Sequence, residues 1–70
     1  MMPLGLADRG EEYIIRRIGG NDEIKKHLGN LGFVVGGTVS VVTETAGNLI
    51  VNVKDARVAI DRSLAQKIMV

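Results

Sequence analysis

Between Leu31 and Val41, a span of about eleven residues, the chain ends one kind of secondary structure and begins another. Leu31-Gly32-Phe33 reads as a helix end, because glycine enters the left-handed conformation without a Cβ clash. Phe33, just past that stop, is placed to fold back on the last helical turn. Gly36 then supplies a tight turn, and Val39 and Val41 open a strand whose alternate residues face one side. A chain of 70 residues that passes so abruptly from helix to sheet is expected to form one small α+β barrel over residues 1–70. It does not read as a catalytic domain.

So short a chain buries only about 60% of its unfolded surface. Cysteine is absent, so neither a disulfide nor a thiolate–metal cluster reinforces the fold. An apolar core must therefore hold it, and a hydrophobic content of 46% is enough to build one. That core is aliphatic, since Tyr13 and Phe33 are the only aromatic residues. No run approaches the ~20 apolar residues of a membrane span. Met1-Met2-Pro3-Leu4 lacks the basic and long apolar regions of a secretory signal, so a cytosolic protein is expected. A net charge of +1 argues against strong sequence-independent attraction to polyanions.

Tyr13-Ile14-Ile15-Arg16-Arg17-Ile18 reads as one strand stopped by Gly19-Gly20. Asn21 or Asp22 then caps a helix in which Ile24, Leu28 and Leu31 share a face. Gly29 lies inside that helix and weakens it by about 1 kcal/mol relative to alanine. Val39, Val41 and Thr43 alternate with Ser40, Val42 and Glu44, and Ala46-Gly47-Asn48 makes a turn. Leu49, Val51 and Val53 alternate in turn with Ile50, Asn52 and Lys54, which completes a hairpin with one face for a core. A bend at Asp55-Ala56 leads to a strand over residues 57–61. Ser63 is expected to cap a single helical turn over 64–66, and 68–70 closes the chain as a strand. Five short strands and one helix result, with no crossover long enough for a βαβ unit. Closure into a barrel would remove exposed edges that so small a chain can hardly cover.

Several pieces recur in a telling order: Pro3-Leu4 with Ala7 and Gly10, Ile18 with Gly20, and Leu28 with Leu31-Gly32-Phe33. Gly36 with Val39 and Val41 follows, then Arg57-Val58-Ala59-Ile60, Leu64-Ala65 and Ile68-Met69-Val70. Together they resemble the FeoA family, the small cytosolic component of bacterial ferrous iron uptake. The resemblance implies a mostly β, SH3-like barrel of about five strands carrying one helix. It also implies a regulatory or assembly partner of FeoB, the membrane permease with a cytosolic GTPase domain. The same fold ends iron-dependent repressors of the DtxR type, whose preceding helix-turn-helix has no room within these residues. Where the family often has Pro-Gly-Thr, this chain has Val35-Gly36-Gly37; losing the proline's preset φ should loosen the turn.

Chemistry-bearing motifs are sparse. His27 is the only histidine and is expected on a solvated helix face, so no metal ligand set is assigned. Gly19-Gly20-Asn21-Asp22 lacks the Lys-Ser/Thr ending of a phosphate-cradling loop, and its acids would repel an anion. No serine or threonine has an evident base, so no catalytic residue or cofactor is assigned. Arg16, Arg17, Lys54, Arg57, Arg62 and Lys67 could form a basic strip for RNA, but no aromatic platform accompanies them. No nucleic-acid partner is therefore expected, and an RNA-binding barrel stands as the alternative.

What remains is surface for docking. With Val39, Val41, Leu49, Val51 and Val53 inward, Val42 and Ile50 point outward as neighbours across the hairpin. Leu28 and Leu31 either lid the barrel or border a groove. These four residues are the expected partner contacts, by apolar packing or strand addition, and a weak homo-oligomer through the hairpin is a further possibility.

Overall fold

The computed structural model describes residues 1–70. Six short strands lie in two sheets, with a principal helix and a single helical turn. A four-stranded antiparallel sheet runs in the order β1 (Glu12–Ile14), β3 (Thr38–Thr45), β4 (Asn48–Val53) and β5 (Ala56–Asp61). The second sheet pairs β2 (Arg17–Ile18) with β6 (Ile68–Met69). A 3-10 turn over Leu4–Leu6 precedes them, and helices α1 (Asp22–Leu31) and α2 (Arg62–Ala65) complete the chain.

Helix α1 begins and ends as its residues dictate. Asn21 is the cap, its Oδ1 accepting from the Ile24 N–H at 2.9 Å. At the other end Gly32 sits at φ 108°. Its N–H donates to the Gly29 carbonyl, and the Phe33 N–H donates to the Leu28 carbonyl, each at 3.0 Å. Those two bonds form the Schellman stop, which satisfies carbonyls that the helix itself leaves bare. Phe33 and Leu28 are both buried in one core with Leu4, Ile15, Val39, Val41, Leu49, Val51, Val53, Ile60, Ala65, Ile68 and Val70. All five hairpin residues expected inward are in that core.

Three local expectations are corrected. The run from Tyr13 to Ile18 is two strands, because the chain passes there from one sheet to the other. Ile15 donates to the Gly37 carbonyl beside β3, and Arg16 donates to the Met69 carbonyl of β6, both at 2.8 Å. The hairpin alternation also breaks: Val41 pairs with Val51 but Thr43 pairs with Ile50, so a bulge at Val42 absorbs one residue. Thr43 thereby shares the outer face with Ile50, and Glu44 falls opposite the buried Leu49. Finally, Asp61 rather than Ser63 caps α2, its Oδ1 accepting from the Leu64 N–H at 2.8 Å.

Both hairpin turns are two residues long with both central residues at positive φ, the twist-matched geometry for such loops. Ala46 and Gly47 have φ 50° and 82°, and Lys54 and Asp55 have φ 48° and 61°. The Val35-Gly36 turn is tied from outside, which offsets the missing proline. The Gly37 N–H donates to the Val34 carbonyl, and the Gly36 N–H donates to the Ile15 carbonyl.

Hydrogen bonding does not run all the way round the barrel. Met2 and Val70 exchange backbone bonds at 2.8 and 2.9 Å, so the N-terminal segment extends the small sheet beside β6. β1 pairs only with β3, and β5 only with β4. The sheet thus keeps two free edges, and a seam opens between β1 and the Met1–Met2 segment.

Candidate interaction surface

Where the chain runs out of core, five large apolar side chains reach solvent: Met1 (75% exposed), Leu6 (71%), Val35 (63%), Ile14 (51%) and Val34 (39%). Topology brings two of them together. Met1 and Ile14 line one groove with Met2, Tyr13 and Val70, about 500 Å³ in volume, with Glu12 and Arg16 at its rim. Val34 and Val35 belong to the turn bonded to Ile15 on its β3 side, away from that groove. The seam is therefore the place where backbone pairing stops and where exposed Met1 and Ile14 come together. Leu6 stands apart, beside Arg62 and Gln66.

The expected contacts fall elsewhere. Leu28 has no accessible surface and is corrected to a core residue, since α1 packs it into the same buried cluster as Phe33. Leu31 is half-buried on the helix. Val42 and Ile50 are half-buried on the outer sheet face, where Ile50 lies between Thr43 and the exposed Ala59. Sequence reading missed the seam, although a signal existed. Ile14-Ile15 is a consecutive aliphatic pair, and in extended backbone neighbours point to opposite sides. One of the two had to face outward unless a second layer covered it.

Three of the basic residues have individual neighbours. Arg62 forms a salt bridge with Glu44 across the end of the sheet. Arg57 Nε leans towards Asn52 Oδ1 at 3.5 Å. Lys54 lies beside Gly32 at the end of α1, where a cation suits the exposed carbonyls. His27 is exposed on α1, and no three His, Cys, Asp or Glu side chains come together as a metal group. No buried side-chain polar atom lacks a partner, so nothing polar inside the protein awaits a ligand. No helix is long and apolar enough to cross a membrane.

The FeoA domain family matches residues 2–70, nearly every residue of this architecture. The chain belongs to the FeoA family. A relative from Methanocaldococcus jannaschii, provisionally named Fe(2+) transport protein A, is 36% identical over 70 residues; the match covers 100% of this chain and 85% of the relative. A crystal structure of an iron uptake regulatory protein (FeoA) superposes with a TM-score of 0.87 at 31% identity, over 97% of this chain and 90% of that one. The manganese-activated repressor ScaR in its apo form shares the fold alone, with a TM-score of 0.85 at 22% identity; the match covers 96% of this chain and 33% of the repressor. The SH3-like architecture expected from the sequence is therefore the observed one, drawn as two sheets with an open seam.

Proposed function

We propose that this chain serves ferrous iron uptake as a non-enzymatic, cytosolic regulatory or assembly partner of FeoB, the membrane ferrous iron permease with a GTPase domain. One observation carries the reading: the family match spans nearly the whole of a chain whose fold offers an exposed apolar groove for docking. The relative named for Fe(2+) transport and the FeoA structure described as an iron uptake regulatory protein support the iron side of it. The geometry supports the protein-binding side, since a solvent-exposed apolar groove at an unpaired strand edge is an ordinary place for a protein to dock.

Docking is assigned first to the seam around Ile14, and second to the outer face at Val42 and Ile50 with Leu31 on the helix. Calorimetry of this protein against the permease's soluble GTPase domain, with pull-down of the full-length permease, tests the reading. Saturable binding to either is the expected result. Silence from both, with folded proteins, would remove the permease as partner.

A further inference from the structure

We infer that the seam takes an extended segment of a partner protein, added antiparallel to β1 as a strand, with an apolar residue opposite Ile14 and a basic residue opposite Glu12. The inference rests on the reading that this surface binds a protein, and it specifies how.

Backbone alternation comes first. Ile15 donates its N–H towards β3 through the Gly37 carbonyl, while Arg16 donates to Met69 on the opposite side. In an extended antiparallel chain this alternation continues, so Tyr13 bonds to β3 while Glu12 and Ile14 turn their N–H and C=O groups to the seam. Neither residue takes part in any turn or loop hydrogen bond. The direction follows from β6, which pairs antiparallel with β2 in the register Arg17–Met69 and Ile18–Ile68. A strand lying in line with β6 would pass β1 antiparallel, within the groove that Val70 begins.

Side chains set the chemistry of the occupant. Ile14, half-exposed, and Met1, Met2 and Val70 offer an apolar lining. Glu12 is exposed and has neither a hydrogen-bond nor a salt-bridge partner, so a cation directly across from it completes a cross-strand pair. Arg16 stands at the other end and disfavours a basic residue there. A proline-rich ligand would need an aromatic-lined groove, and Tyr13 is the only aromatic present.

The test uses the full chain, ¹⁵N-labelled, titrated with the peptide acetyl-Thr-Ile-Thr-Lys-Thr-amide and its Lys-to-Glu analogue. Amide shifts are expected at Met2, Glu12–Arg16 and Val70, and the Glu analogue should bind about threefold to fivefold more weakly. Glu12→Pro removes a seam-facing donor without touching the β3 ladder, so it should keep the parent fold and lose about tenfold in affinity. Glu12→Gln, which keeps the donor, should lose only about threefold. Equal losses in the two variants, shifts centred on Val42 and Ile50, or no shifts at millimolar peptide would each overturn strand addition. Shifts that grow with protein concentration alone would make a second copy the occupant and overturn it too. Permease that binds parent and Glu12→Pro equally would end the strand mode while leaving the partner in place. Peptide binding with no permease binding would do the reverse.

Discussion

The four-stranded sheet ends in two edges, β1 and β5, and they are treated differently. β5 is six residues long, carries Arg57 and Asp61 at exposed positions, and runs directly into α2, which packs against it. Charged side chains and a covering helix are the usual ways of blunting an edge against unwanted pairing. β1 is three residues long and its exposed positions hold one acid and one isoleucine. Its only protection is its shortness. The difference teaches that edge exposure alone marks nothing; an edge left apolar, beside other exposed apolar residues, is what points to a partner.

Both edges hang from the same core, so the harshest perturbation should erase the contrast altogether. Phe33→Ala empties a site that is 1% exposed in the parent, and emptied aromatic sites cost about 3–5 kcal/mol. For so small a chain that is a large share of total stability. Thermal unfolding should show the variant largely unfolded at 37 °C. A melting curve like the parent's would put Phe33 outside the cooperative core.

A pair of matched substitutions sharpens the comparison without disturbing the core. Ile14→Asp places a charge at the β1 seam, and Arg57→Asp exchanges one charge for another on β5, opposite Asn52. Permease affinity measured by calorimetry should fall at least about tenfold for the first, as expected when a central apolar anchor is lost, and change little for the second. Equal losses would dissolve the distinction between the two edges.

The parts of this fold readable from sequence are those fixed by contacts within a few residues. Helix α1 is legible because its cap, apolar spacing and glycine stop are all local, and Ala46-Gly47 announces its turn for the same reason. The bend at Ile15–Arg16 is not legible, since both residues suit a strand and only their distant partners, Gly37 and Met69, separate the two sheets. The bulge at Val42 is equally hidden, because its neighbours alternate as an unbroken strand would. Of the expected contacts, Leu28 failed because the same amphipathic spacing describes a lid and a groove. The seam escaped because Met1–Met2 finds its place only through Val70, at the far end of the chain.

Smaller effects probe the junctions that hold the edges in position. Gly32 at φ 108° separates α1 from the segment leading to β3. An added Cβ would meet only Lys54 side-chain atoms, at 3.6 Å or beyond, so crowding is not the obstacle. The left-handed backbone is, and Gly32→Ala should lower stability by about 1–2 kcal/mol in urea titration. At the turn feeding β5 the opposite change helps. Asp55 occupies φ 61°, and Asp55→Gly should raise stability by about 0.5–1 kcal/mol by relieving a conformation that non-glycine residues rarely take.

The weakest expected effect concerns the ion pair placed at the β5 side. Arg62, just past β5, meets Glu44 of β3 across the end of the sheet, and so ties the blunted edge to its interior. Both groups keep contact with water, with 63% and 32% of their side chains exposed. Solvent screening and the entropy of holding a long arginine therefore offset most of the attraction. Arg62→Met, which retains the apolar stem, should change stability by less than about 0.5 kcal/mol, with little response to added salt. A loss several times larger, shrinking as salt rises, would mean that β5 is held by charge rather than by burial of Ile60 beneath it. The contrast between the edges would then depend on ionic strength.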